Sequence, residues 1–205
     1  MAESRRVHVP IEQRRRELTE IAVKIMARDG ARALTTRALA KEAGVPHGSV
    51  HYAFSSKEEL IRSVMQLDLT HLSDLAPSQH DRPMQGPEDV VATVAELFAA
   101  YADSVMADPD IEIAYFELSL MAARDEQLRD LVAQSQQEYR RTMVRLLGDL
   151  AEQAGLRWEA DVALVAEQAL TLLSGAALNW LEQRDDAVFR AVLADAASMV
   201  GRRLA

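Results

Sequence analysis

The chain has 205 residues, of which 49% are apolar and 5% aromatic, with 23 Lys+Arg against 32 Asp+Glu. That length and apolar content suit one large domain or two modest ones with a sizeable core, and the absence of cysteine excludes disulfides and thiolate metal sites. Ala, Leu, Glu, Arg and Gln form a helix-favouring mixture, no stretch alternates for long like an exposed strand, and no charge-free run approaches the ~20 residues that cross a bilayer.

Charge is unevenly spread. Residues 1–60 hold 11 Lys+Arg and 8 Asp+Glu, whereas residues 61–205 hold 12 and 24. The three lysines, Lys24, Lys41 and Lys57, all fall in the first part. A basic head on an acidic body suits a protein that offers one end to phosphate, although charge alone fits an ordinary surface equally well. The opening MAESRRVHVPIEQRRR lacks the apolar centre of a secretory signal, so a cytoplasmic protein is expected.

Residues 1–9 carry Arg5 and Arg6 without an apolar period. They read as a flexible arm, either a tether to phosphate or minor groove or a plain disordered terminus. From about Pro10 to Asp29, Leu18, Ile21, Ala22, Ile25 and Met26 recur at i, i+3, i+4, i+7 and i+8, which predicts one amphipathic helix. Arg14, Arg15 and Arg16 cluster near its start, and Asp29-Gly30 ends it. The stretch from Leu34 to Glu59 predicts two short helices joined by a tight turn, with a further helix beyond. Thr35 is placed to cap the first, and Leu39, Ala40 and Ala43 share one face. Gly44 sits where the helix must stop, Val45 is an apolar plug, and Pro46 presets the first turn of the second helix. There His47, Gly48, Ser49, His51 and Tyr52 surround the apolar Val50 and Phe54. This is the helix-turn-helix plan, whose second helix enters the DNA major groove.

Ser56 with Glu59 three residues on predicts a capping box and a fourth helix over about 56–75. Residues 76–88 hold three prolines and a glycine and read as a mobile linker. Five more helices are expected: Glu88–Met106, one opened by Asp108-Pro109, one from Asp125 to about Gln153 ended by Gly155, Ala160–Glu182, and about Asp186–Arg202. The expected fold is therefore all-α with about nine helices. A helix-turn-helix domain would span 1–56, including the arm 1–9, and a helical ligand-binding and dimerisation domain would span 57–205.

The quoted head motifs resemble the tetracycline-repressor (TetR) family of bacterial transcriptional regulators. The likeness covers about residues 11–65. It rests on Leu34-Thr35-Thr36-Arg37, Leu39-Ala40, Gly44-Val45, Gly48-Ser49-Val50, Tyr52, Phe54 and Ser56-Lys57-Glu58-Glu59-Leu60. It implies a homodimer whose two heads read a palindromic operator, and a small-molecule pocket in the body that controls the spacing of the heads. By position it implies DNA contacts from Thr35, Thr36 and Arg37, a recognition helix lined by His47, Gly48, Ser49, His51 and Tyr52, and a phosphate contact from Lys57. Three positions depart from the family pattern: Pro46 replaces a common capping Ser or Thr, His51 a common Tyr, and Ala53 an aromatic or His.

Chemistry weighs these residues further. Arg37 suits bidentate contact with guanine, and a phosphate contact fits it equally well. His47 and His51, four apart, share a face that could hold a metal only with a third ligand, and none is in sight; no metal or cofactor is expected. Phe98, Tyr101, Tyr115, Phe116, Met121, Met143, Asn179 and Trp180 are candidates to line an effector pocket, with core packing the alternative for any one of them. Ser174, Gly175, Ala176 and Ala177, with Val188, Val192 and Met199 on the last helix, make a candidate dimer face. No nucleophile–base pattern or phosphate-cradling glycine loop marks an enzyme. The expected function is a repressor that binds duplex DNA as a homodimer under small-molecule control, with no membrane partner. An all-helical small-molecule-binding protein or enzyme without a DNA role is the alternative.

Overall fold

Nine α-helices follow one another in the computed structural model, which describes residues 10–75 and 84–205, and of 68–75 the backbone alone. They are α1 (Ile11–Asp29), α2 (Thr36–Glu42), α3 (His47–Ala53), α4 (Lys57–Leu75), α5 (Pro87–Ala107), α6 (Pro109–Ala122), α7 (Glu126–Gln153), α8 (Val162–Gln183) and α9 (Asp186–Gly201). The all-α class is as expected, and among the described residues no strand is present. The expected arm at 1–9 and residues 76–83 of the expected linker lie outside the described residues.

The helix contacts form two compact units. One takes in Met1–Leu67 and Ile113–Val132, the other Asp68–Glu112 and Ala133–Ala205. The division falls within α4, α6 and α7, whereas the sequence suggested a boundary at 56 and 57. A boundary drawn from motifs follows the chain, but compactness follows packing, and helices distant in sequence can pack together.

In the first unit α1 supplies the brace. Its predicted stripe places Leu18, Ala22, Ile25 and Met26 in the core, alongside Leu39 of α2, Val50 of α3 and Leu60, Ile61 and Val64 of α4. Each of the larger of these side chains, Leu, Ile, Val or Met, contributes about 1.5–3 kcal/mol when fully buried. Gly30 closes α1 in the left-handed region at φ 86°, its N–H bonding Met26 O. A short 3-10 turn, Ala31–Ala33, follows, which the sequence reading passed over. Its first N–H, at Ala31, donates to Glu117 Oε2 of α6 at 2.7 Å, 86 residues away. The Tyr115 hydroxyl donates to Val64 O at 3.4 Å, a second tie from α6.

In the second unit α9 packs against both α5 and α8. A methyl group added at Gly201, the last residue of α9, would lie 2.0 Å from Val91 Cγ2, so the end of α9 approaches α5 as closely as glycine permits. Asp161 and Asp185 cap α8 and α9 by accepting from the amides of Ala163 and Val188. An isolated antiparallel bridge pairs Trp158 with Leu204. By length and hydropathy α5 and α8 could each cross a membrane. The sequence reading missed this because it looked for charge-free runs, whereas Glu96 and Asp103 in α5 still leave a high mean. Here Val94, Leu97, Phe98 and Ala102 of α5, and Val165, Ala169, Leu173 and Ala177 of α8, are buried core residues.

Candidate functional site

The helix-turn-helix is fixed by local chemistry. Thr35 takes extended dihedrals, and its hydroxyl oxygen accepts the Ala38 N–H at 3.0 Å, starting α2. Gly44 turns the chain at φ 63°, a conformation that favours glycine. Pro46 precedes α3 in place of a side-chain cap. Within α3, Val50 and Ala53 are 0% and 2% exposed, and Phe54 just beyond is 0% exposed, so one side of the helix is anchored in the core. The other side is presented outward. Tyr52 is 78% exposed, a large ring left in solvent, and His47, Gly48 and His51 are exposed beside it.

The remaining predicted contacts divide by exposure. Thr35 and Arg37 are exposed, and Arg37 has no acidic partner among the described residues. Thr36, Ser49 and Lys57 are half-buried. Thr36 Oγ1 shares a hydrogen bond with His47 Nε2 at 3.1 Å, joining α2 to α3. The His47 and His51 rings meet edge to face with centroids 4.4 Å apart. Among the described residues no group of three His, Cys, Asp or Glu gathers to hold a metal.

The expected capping box at Ser56 is shifted by one residue. Ser56 Oγ accepts from Glu59 N as in the usual box, but the Glu59 carboxylate reaches back to the N–H and hydroxyl of Ser55, both at 2.7 Å. Its other oxygen takes the Arg15 guanidinium at 2.6 Å. Hydrogen bonds from Ser55, then from Arg15, hold the Glu59 carboxyl down at about 2. Arg15 Nη1 also donates to Ala53 O, the last carbonyl of α3, at 2.7 Å. Arg28, at the end of α1, bonds both Asp29 and Glu42, tying down the end of α2. Neither Arg15 nor Glu59 was singled out from sequence for this role. Arg15 belonged to an arginine run, and nothing local marks which of three arginines turns inward.

The body residues proposed for an effector fall into three places. In the second unit Phe98 and Met143 are 1% and 2% exposed. Near them in chain order, half-buried Tyr101 of α5 donates its hydroxyl to Glu112 Oε1 of α6 at 2.8 Å. Burial pushes the Glu112 carboxyl up, against the Tyr101 hydrogen bond that lowers it. Glu112 was missed because one carboxylate in a first helical turn normally reads as a dipole partner. Tyr115, Phe116 and Met121 are half-buried in the first unit. Asn179 and Trp180 share a shallow depression with Val188, Phe189 and Val192. Trp180 stacks on Phe189 with centroids 5.6 Å apart, and its indole N–H donates to Asp186 at 2.8 Å. An open cavity of about 690 Å³ lies elsewhere, lined by Arg140, Arg141, Thr142, Val144 and Arg145 of α7 and by Ala163.

The small residues of α8 split by helical period. Ser174 and Gly175 are exposed, while Ala176 and Ala177, 9% and 0% exposed, are covered within their own chain. A step of 100° per residue puts these pairs on opposite sides of α8, so one run of small residues cannot serve one face. Val188, Val192 and Met199 of α9 are 45%, 41% and 49% exposed. Leu164 and Leu178 of α8, at 51% and 47%, join them as large apolar residues in solvent.

Comparison with known proteins adds identity. A family model described as bacterial regulatory proteins of the tetR family matches residues 18–64, and one described as the C-terminal part of BetI-type transcriptional repressors matches residues 88–205. The nicotine-responsive transcriptional repressor HdnoR of Paenarthrobacter nicotinovorans is 26% identical over 175 residues, covering 84% of this chain and 86% of its own. The structure of the fatty acid degradation regulator FadR from Bacillus halodurans superposes with a TM-score of 0.71 at 21% identity, covering 96% of this chain and 97% of its own. FadR from Bacillus subtilis in complex with stearoyl-CoA gives 0.67 at 17% identity, over 90% and 96%. These matches span both the outward-facing helix-turn-helix and the helices after it, and the family's members are regulators rather than enzymes. The chain belongs to the TetR family of bacterial transcriptional regulators.

Proposed function

We propose that this regulator is a cytoplasmic repressor that binds a palindromic operator as a homodimer and responds to an organic small molecule held in its C-terminal half. The observation that carries the DNA reading is the face of α2 and α3. Arg37, His47, His51 and Tyr52 project outward from helices whose opposite side is locked in the core. Phosphate contacts from such a face set position, and base-edge contacts from Arg37, Ser49 or the histidines carry sequence preference. Tyr52, the exposed Gly48 and the half-buried Thr36 and Lys57 complete the proposed surface, with Lys57 meeting phosphate.

Dimerisation is supported by the exposed apolar residues of α8 and α9. Leu164, Leu178, Val188, Val192 and Met199 are each at least 41% exposed, and a second copy related by a two-fold axis would cover this self-complementary strip. Asn179 and Trp180, beside Val188 and Val192, belong by position to this strip rather than to an effector pocket. Effector control is supported by the nicotine-responsive relative and by the acyl-CoA complex of a structural neighbour. For this chain the proposed contacts are Phe98, Tyr101 and Met143. Binding of an effector would shift the population of head spacings by its differential affinity for them.

Selection of duplexes from a random pool tests the reading. A two-fold symmetric consensus with half-sites about one turn apart, ~34–36 Å, is the expected outcome, together with a dimer in light scattering. No enrichment of any sequence would overturn the DNA reading, and a monomer bound to one asymmetric half-site would overturn the dimer.

A further inference from the structure

We propose that Arg15 is a positioning residue for sequence reading: it fixes the pose of the recognition helix from behind and makes no contact with DNA. The inference rests on the reading of α3 as the base-contacting helix. Its physical basis is the number of elements that one guanidinium joins. From the first turns of α1, Arg15 donates to the terminal carbonyl of α3 at Ala53, at 2.7 Å, and to Glu59 in the first turn of α4, at 2.6 Å. A longer bond of 3.4 Å reaches Ser63, one turn further along α4. The same group lies 5.0 Å from the centre of the Phe54 ring, which is fully buried just after α3. Glu59 then passes the constraint to Ser55, in the turn between α3 and α4.

Each link has a reason. The last carbonyls of a helix lack partners within it, and a cation there meets the negative end of the helix dipole. A guanidinium is planar with several donors in a fixed fork, so it holds direction as well as distance, which an ammonium does not. The Arg15 side chain is 28% exposed and that of Glu59 is 26% exposed, so water reaches the pair only in part. With both Nη1 hydrogens and one from Nη2 donated inside the chain, Arg15 is a poorer phosphate ligand than exposed Arg16 beside it.

The consequence is specific to base reading. Bidentate contacts tolerate misplacement of only ~0.5 Å, whereas attraction to phosphate is long-ranged and forgiving. Loosening the end of α3 should therefore cost sequence preference and leave non-specific affinity in place.

The test compares the duplex enriched from a random pool with a scrambled duplex of equal length, across a salt series, using the full-length protein. For Arg15→Lys, which keeps the charge and loses the fork, binding of the enriched duplex should weaken by at least tenfold. Binding of the scrambled duplex should stay within twofold and the salt slope should be unchanged. Lys57→Ala serves as the phosphate-contact reference, with a shallower slope on both duplexes. Glu59→Gln, which leaves the Ala53 bond in place, should lower the ratio of enriched to scrambled affinity in the same direction but less. It also provides the measurement if Arg15→Lys does not fold at the assay temperature. Equal weakening on both duplexes, a shallower salt slope for Arg15→Lys, or an unchanged ratio in both variants would each overturn the proposal. An unmodified protein that prefers no sequence would instead overturn the DNA reading beneath it.

Discussion

The two units of this regulator are held by different means. In the first, short helices of seven residues are fixed by the Thr35 cap on Ala38 and by polar side chains that cross between elements: Thr36 to His47, Arg15 to Ala53 and Glu59, and Glu117 to Ala31. In the second, longer helices pack chiefly through apolar stripes, with aspartates at the starts of α8 and α9 and polar ties such as Tyr101 to Glu112 and Trp180 to Asp186 added to them. Helices as short as α2 and α3 are marginal on their own. Their orientation comes from the buried Leu39, Val50 and Ala53 together with capping and long-range hydrogen bonds. Long amphipathic helices gain most of their stability from the stripe itself and tolerate exchange among apolar residues of similar volume. The proposed DNA-reading surface would benefit from the first arrangement, and the proposed effector site from the second.

Core deletions give the largest effects. Phe54→Ala and Phe98→Ala, each removing a ring that is at most 1% exposed, should each destabilise the protein by about 3–5 kcal/mol. Urea unfolding measures both. If Phe98→Ala proved as damaging to DNA affinity under folded conditions as Phe54→Ala, the contrast between the units would fail. Close backbone approach comes next. Gly201→Ala places a methyl against Val91, a stiff β-branched neighbour, and should cost about 1–3 kcal/mol. A melting temperature equal to that of the unmodified protein would show that α5 and α9 yield at this point.

Arg37→Ala acts on function rather than stability. It should weaken the enriched duplex by about 1–3 kcal/mol and relax preference at one base pair, with no change in unfolding. Equal loss on random DNA would reduce Arg37 to a phosphate contact. Removing single caps sharpens the comparison further. Thr35→Ala and Asp185→Ala should each cost ~1 kcal/mol in stability. Thr35→Ala should also lower operator affinity, because α2 is too short to absorb a frayed start; operator binding that follows Asp185→Ala equally would argue against this.

The smallest effect is a dependence on pH. The folded protein holds the Glu112 carboxyl above its ordinary value. Stability linked to this group is therefore fully present at acid pH and falls as pH rises through the raised value. Glu112→Gln keeps an acceptor for Tyr101 and carries no charge. Its melting temperature relative to the unmodified protein should rise between about pH 4 and about pH 8. A difference that stays flat, or that shrinks over that range, would mean that burial does not oppose ionisation at this site.

Much of the fold was legible before the structure because its signals are local. Pro10, Thr35, Gly44, Pro46 and Gly155 mark helix ends through fixed dihedrals or single hydrogen bonds, and the stripe from Leu18 to Met26 declares its inner face by period. The sequence is less explicit where the local pattern admits two outcomes. Ser174 to Ala177 look alike in sequence, yet two face out and two face in. Asn179 and Trp180 suit a pocket by composition, and they line a depression shared with Val188 and Val192 of the last helix. Asp186, expected only as the start of the last helix, also receives the indole of Trp180.

Sequence alone determined which segments are helical, where they stop, and that α2 and α3 form a helix-turn-helix, because backbone preference and hydrophobic period act over a few residues. Tertiary structure alone decided which arginine of three turns inward to the end of α3, which glutamate of α6 meets the 3-10 turn, and how closely α9 approaches α5. Those pairings join atoms 38, 86 and about a hundred residues apart. No local period encodes such distances, and only the packed chain brings the partners within bonding range.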